Sequence, residues 1–159
     1  MIARRPPRAV LDTSVLVPAR LRAALHEAAD GGQFIALWSP WIIGELYRVL
    51  TWQWLERTRD YSAANYADCG RSAKAMMALL IGACETIAPV PPYPPVWPTL
   101  TDPDDYPIWA AARLGRADYV VSNNTRDFPP PDPDGRPHYE GIEYLTGQAF
   151  LDRLVRGNR

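Results

Sequence analysis

Several acidic residues of this chain stand where acids are out of place. Asp12 interrupts the apolar run AVLDTSVLVPA (9–19), and a buried charge is costly unless something compensates it. Glu45 sits between apolar neighbours, Ile43 and Leu46, in SPWIIGELYRVL. Asp105 closes the acidic group Asp102, Asp104 and Asp105 in TDPDDYPIWAAA, and Asn124 and Asp127 follow the apolar stretch DYVVS. Gathered carboxylates raise each other's pKa unless a cation neutralises them. Oxygen donors without Cys or His suit a hard cation, Mg²⁺ or Mn²⁺. Such a site serves phosphodiester hydrolysis, because a metal ion polarises the phosphate, acidifies the attacking water and steadies the departing oxygen. Arg48 shares a helical face with Glu45, and Arg126 lies beside Asp127; both are candidate phosphate contacts.

The elements that would position these groups can be read from apolar spacing. Val10 to Val17 reads as a buried strand, Val- and Leu-rich on both faces as parallel strands are. Pro18 then opens a helix running to about Gly31, and FIALW (34–38) is a second strand. Ser39–Pro40 starts the next helix, with Ile42, Ile43, Leu46, Val49 and Leu50 three and four apart. Residues 62–85 carry another helical pattern, and TIAPV (86–90) reads as a third strand. PPYPPVWP (91–98) lacks the N–H donors of a helix or central strand and reads as a rigid connector. A helix over 101–115 leads to a fourth strand, DYVVS (118–122), a loop over 123–137, an edge strand IEYLT (142–146) and a final helix from Gly147. Strands alternating with helices give an α/β fold with a mostly parallel sheet, in which chemistry sits at the carboxyl ends of the strands. Asp12, Asn124 and Asp127 fall at such ends, and Asp105 opens the helix before the fourth strand.

Each of these residues also has a plainer role. Acids before a helix serve as caps and favour its dipole; of the aspartates at 102–105, Asp105 is the functional choice, with Asp102 next. Glu45 is equally able to form an ion pair with Arg48, and Asp127 to sit in a turn before FPPP. Ser14 and Ser122 are expected to orient ligands or meet substrate through their hydroxyls; Thr13 has no assigned role. Trp38, Trp41, Trp52 and Trp54 crowd into seventeen residues; core or interface positions are favoured for them over stacking on RNA bases. His26 and His138 are isolated and not expected to be ligands.

The whole chain bounds these readings. Its 159 residues suffice for one core, read as a single domain over 1–159 with a short basic tail at 1–8. A net charge of −1 excludes bulk electrostatic binding of nucleic acid, so any such contact comes from a local patch. Cys69 and Cys84 allow one disulfide but no disulfide framework. The basic start lacks the apolar core of a signal peptide, and no run approaches a membrane span, so a cytoplasmic protein is expected.

VLDTSVLV, SPWIIGELYRVL, DPDDYPIWAAA and DYVVSNNTRDFP follow one another across residues 9–129. Together they resemble the PIN domain, in particular the VapC-like toxins. The resemblance implies a three-layer α/β/α domain with a five-stranded parallel sheet, and a Mg²⁺- or Mn²⁺-dependent ribonuclease. By motif position Asp12, Glu45 and Asp105 match the family's acids. A further acid commonly stands two residues past the Ser or Thr that ends strand four; here Asn124 takes that position and Asp127 follows three later. The implied catalytic set is Asp12, Glu45, Asp105 and Asp127, and the implied metal set is Asp12, Asp105, Asn124 and Asp127. Implied partners are an RNA substrate and a small antitoxin protein. A homodimer is also expected, through the apolar helices at 40–55 and 62–85. Two alternatives remain. A phosphatase of the haloacid-dehalogenase type needs D-x-D at strand one, where this chain has Ser14. A PIN-like binding domain that has lost activity fits Asn124 but not the intact Asp12, Glu45 and Asp105.

Overall fold

In the computed structural model, which describes residues 5–90 and 100–157, the apolar run at Asp12 supplies the central strand of the sheet. β1 (Arg8–Leu11) pairs in parallel with β2 (Ile35–Trp38) on one side and with β4 (Tyr119–Val121) on the other. β3 (Cys84–Thr86) joins outside β2, and β6 (Ile142–Leu145) joins outside β4, completing five parallel strands. A two-residue strand, β5 (His138–Tyr139), runs antiparallel to β6 and takes the edge, giving the order β3-β2-β1-β4-β6-β5. IEYLT is therefore an inner strand. The hairpin that covers it turns on Glu140 and Gly141, both at positive φ, and two residues are too few to show an alternating pattern. Ala9, Val10 and Leu11 are all buried although successive strand residues point to opposite faces. Both faces at the centre of the sheet are thus covered, and the arrangement is the expected α/β one of strands flanked by helices.

The first strand is shorter than Val10–Val17. It stops at Leu11, and Thr13–Leu16 coils into a single helical turn, α1. Val15 and Leu16 are as fully buried as strand residues; a short apolar run does not tell a buried strand from a buried turn of helix. The chain therefore changes direction at Asp12, whose N–H still donates to the Val121 carbonyl at 3.0 Å as the last rung of the ladder.

α2 (Ala19–Asp30) follows Pro18. Its buried Arg22 donates from Nη1 to the carbonyls of Leu16 (2.8 Å) and Val17 (2.9 Å), which a helix end leaves without partners. α3 (Pro40–Thr58) is capped by Ser39, whose hydroxyl accepts from the Ile42 N–H. α4 (Ala63–Ile81) packs back on α3 and ends earlier than 85, because Cys84–Thr86 leaves it as β3, ahead of the TIAPV stretch. Its Gly70 allows this packing: a Cβ there would lie 2.6 Å from the Tyr47 hydroxyl of α3. One short turn, Pro103–Asp105, precedes α5 (Tyr106–Leu114), which lies against β1, β2 and β4. α6 (Gly147–Gly157) packs on α2. Cys69 and Cys84 are free thiols. The proline-rich stretch at 91–98 lies outside the described residues, as do the first four residues. Among the described residues no helix is long and apolar enough to cross a membrane.

Phe150 fastens α6 to the sheet. It is fully buried, edge-on to Phe34 at 4.9 Å between centroids and tilted against Tyr119 at 5.4 Å. Phe150→Ala is expected to destabilise the fold by about 3–5 kcal/mol, read as a lower urea midpoint with an unchanged slope.

Candidate active site

β1 and β4 end side by side, Leu11 opposite Val121, so Asp12 and Ser122 leave the sheet together. Ser122 is fully buried, and its hydroxyl donates to Asp12 Oδ2 at 2.8 Å. Ser14, one residue into α1, donates to the same oxygen at 2.7 Å. Both protons are thereby used, so the 3.1 Å approach of the two hydroxyls is contact alone. The N–H groups of Asn123 and Asn124 donate in turn to Ser14 Oγ (2.9 Å) and Ser122 Oγ (3.0 Å), tying the loop after β4 to both serines. Among the described residues no donor is aimed at Asp12 Oδ1. Ser122 positions a carboxylate; it has no surface on which to meet substrate.

The remaining acids arrive from two helices. Glu45, six residues into α3 counting Pro40, receives the Thr13 hydroxyl on Oε2 at 2.7 Å. Its Oε1 lies 4.0 Å from Arg48, whose side chain is largely exposed. Asp102 caps the short turn by accepting from the Asp104 N–H at 3.0 Å, the plainer of its two expected roles. Asp105 is buried at the start of α5, and its Oδ2 has no hydrogen-bond partner. Burial pushes its carboxyl up to about 7, helped by the nearby charges of Asp102, Asp12, Asp127 and Glu45.

Asp12, Ser14, Glu45, Asp102, Asp104, Asp105 and Asn124 all line one open cavity of about 380 Å³ at the carboxyl ends of the strands, with Thr13 beside them. Asp127 does not line it. It stands half-buried behind the loop, close enough for its charge to act on Asp105, with Arg126 3.7 Å away and almost wholly exposed. Arg48 and Arg126 are thus exposed and only loosely paired, Arg48 with Glu45 of the cavity and Arg126 with Asp127 outside its lining. A larger cavity of about 630 Å³ opens at the opposite ends of the strands. Its charged groups are mutually satisfied there, Arg5 with Asp118 and Arg153 with Glu143. His138 faces Glu143 at 3.7 Å, far along the sheet from the acids.

Two contributors were not assigned from sequence. Thr13 holds Glu45, and Asn123 joins the loop to α6 by accepting the Gly147 N–H on Oδ1 at 3.0 Å. Their signal was the pair of hydroxyls after Asp12 in DTS and the doubled asparagine after Ser122.

The donor set fits a divalent cation. It is oxygen-only, it includes a buried carboxylate oxygen without a partner, and that carboxyl is raised by its burial and further by the acids around it. Among the described residues no three acidic, histidine or cysteine side chains converge on one point.

Two measurements follow from this geometry. Asp105 is held protonated more strongly in the fold than in the unfolded chain. Its unfavourable contribution is absent below pH 4, grows as pH rises toward about 7 and is complete above it. In EDTA at pH 8, Asp105→Asn is expected to be more stable than the parent by roughly 2–4 kcal/mol, with the gap closing at pH 4; thermal melts at both pH values read it. Ser122→Ala is expected to fold and to lower Mn²⁺ affinity about 10–100-fold, measured by titration calorimetry.

A sequence model of the PIN domain matches residues 8–126. No curated protein and no solved structure gives a significant match. The matched span covers β1 through the loop after β4, and so every element that brings a carboxylate to the cavity. The chain belongs to the PIN domain family, whose members are generally nucleases.

Proposed function

We propose that this protein is a metal-dependent endoribonuclease that hydrolyses RNA phosphodiester bonds and acts as the toxin of a toxin–antitoxin pair. The observation that carries the hydrolytic reading is the buried Asp105 oxygen with no partner, on a residue that lines one cavity with Asp12 and Glu45. Asp12 and Asp105, with Asn124, would hold Mg²⁺ or Mn²⁺, and Asp127, outside the cavity lining, would add its charge alone. Such an ion, when bound, supplies charge stabilisation at the phosphate and an acidified water.

The chain's own groups do the rest. The two serine hydroxyls fix the rotamer of Asp12 without neutralising it. Thr13 fixes Glu45 by one oxygen and leaves the other available to take a proton from water. Arg48, exposed beside Glu45, and Arg126, exposed beside Asp127, are the groups proposed to meet phosphates of the strand. The toxin role and its antitoxin partner rest on the likeness of the four motifs to VapC-like proteins, as does the choice of RNA over DNA.

Purified protein is expected to cut a mixed cellular RNA pool with Mg²⁺ or Mn²⁺ and to stop in EDTA. Asp12→Asn, prepared alongside, is expected to lose at least 100-fold in rate (about 2.7 kcal/mol). Folded protein that cuts nothing under either metal would instead identify a binding domain, with the neutral Asn124 as its inactivating residue. Growth arrest on induction in a bacterial host, absent for Asp12→Asn, tests the toxin role.

A further inference from the structure

α3 carries a second row of side chains beside the acids. Trp41, Glu45, Arg48 and Trp52 are spaced four, three and four apart, which aligns them on one face of the helix. Trp41 is 46% exposed and Trp52 56% exposed, though both are among the largest apolar side chains of the protein. Helical rise places them about 16 Å apart, with Glu45 about 6 Å along the axis from Trp41. Tyr61, beyond the end of α3, lies against Trp52 at 6.4 Å between centroids. Its hydroxyl donates to Glu56 at 2.9 Å, so the one carboxylate at that end of the row is already engaged.

We infer that this row is a binding track for unpaired RNA, on which bases flanking the cleaved bond stack on Trp41 and Trp52. The inference rests on the nuclease reading above and names the form of substrate it requires. Three observations favour a nucleic acid strand as the occupant. The row is continuous with the catalytic cavity, because Glu45 belongs to both. Between its two aromatic rings stands a cation, Arg48, next to the acid it shares with the cavity; rings and a guanidinium are what single strands use, the rings taking bases and the guanidinium phosphate. Arg48 is 73% exposed in its side chain and held only by a 4.0 Å approach to Glu45, so it is free to engage a phosphate. A protein interface of comparable extent would need a contiguous apolar core, whereas Glu45 and Arg48 stand between the two tryptophans and only the partly buried Val49 is aliphatic beside them. A paired helix keeps its bases stacked on one another, which leaves nothing for the indoles to hold.

The test is binding in EDTA, so that cleavage plays no part. A fluorescein-labelled 12-nucleotide RNA of mixed sequence is titrated with the full chain, alone and annealed to its complement, and followed by anisotropy. The single strand is expected to bind at least tenfold tighter than the duplex. Trp41→Ala and Trp52→Ala are each expected to weaken single-strand binding roughly tenfold, and Trp→Phe at the same positions to restore most of it. Both side chains are exposed, so melting temperatures should stay close to the parent's, and those melts are run beside the titrations.

Equal binding of single strand and duplex, or alanine variants that bind like the parent, would overturn the track. If such a parent still cuts RNA with metal, the nuclease reading stands and only the track falls. If the alanine variants keep full RNA affinity but turn a dimer into a monomer in light scattering, the row is an interface between copies, and the inference is wrong.

Discussion

A carboxylate almost out of reach of water, surrounded by other carboxylates, is the constraint around which this molecule is arranged. Asp105 is in that position, with one oxygen lacking any hydrogen-bond partner and its carboxyl pushed up to about 7. Nothing in the core requires it: α5 would be capped and buried as well by a neutral residue. Its charge is unfavourable there unless a proton or a cation compensates it. The stability lost by crowding acids is the familiar cost of a functional site.

The sheet register turns this local problem into a shared one. Because Leu11 pairs with Val121, the first residues beyond both strands lie next to one another, and an aspartate meets a buried serine. The unexpected helical turn at Thr13–Leu16 completes the contact. Had the strand continued to Val17, Thr13 and Ser14 would have pointed to opposite faces of the sheet. In one turn of helix, Ser14 folds back to Asp12 while Thr13 reaches Glu45 on α3. The short helix thus joins three elements, and Arg22 closes its open end from α2.

Much of this was readable in the sequence, for identifiable reasons. Asp12 and Glu45 were visible because each is an acid among apolar neighbours, and Asp105 because it closes an acidic group that opens a helix and matches a family motif. The parallel strands were visible as apolar runs separated by helical spacing. What escaped was set by distances the sequence does not contain. The end of β1 escaped because Val15 and Leu16 are equally buried in a helix or a strand. β5 escaped because a two-residue strand exists only through its partner. The roles of Thr13 and Asn123 escaped because small polar residues near strand ends are common, and only the fold shows which carboxylate or backbone group each one reaches. Asp127 lies behind the cavity because Phe128 packs edge-on against Trp109 at 5.4 Å and against Tyr144 at 5.6 Å, which draws the loop down onto α5.

The choice of supporting groups carries its own logic. Every side chain that hydrogen-bonds to Asp12 or Glu45 among the described residues is a neutral hydroxyl: Ser14 and Ser122 on one, Thr13 on the other. A guanidinium in those places would hold the carboxylates more tightly, but it would cancel the charge a divalent cation needs. The buried cation nearest in sequence, Arg22, spends Nη1 on the carbonyls of Leu16 and Val17 and leaves the acids alone. Arg48 and Arg126 stand exposed, the one beside Glu45 and the other beside Asp127. Neutral donors leave the acids of the cavity their charge, and no arginine belongs to its lining. On a chain whose net charge is only −1, the negative character of this cavity is a local property, set by the acids gathered there rather than by the chain as a whole.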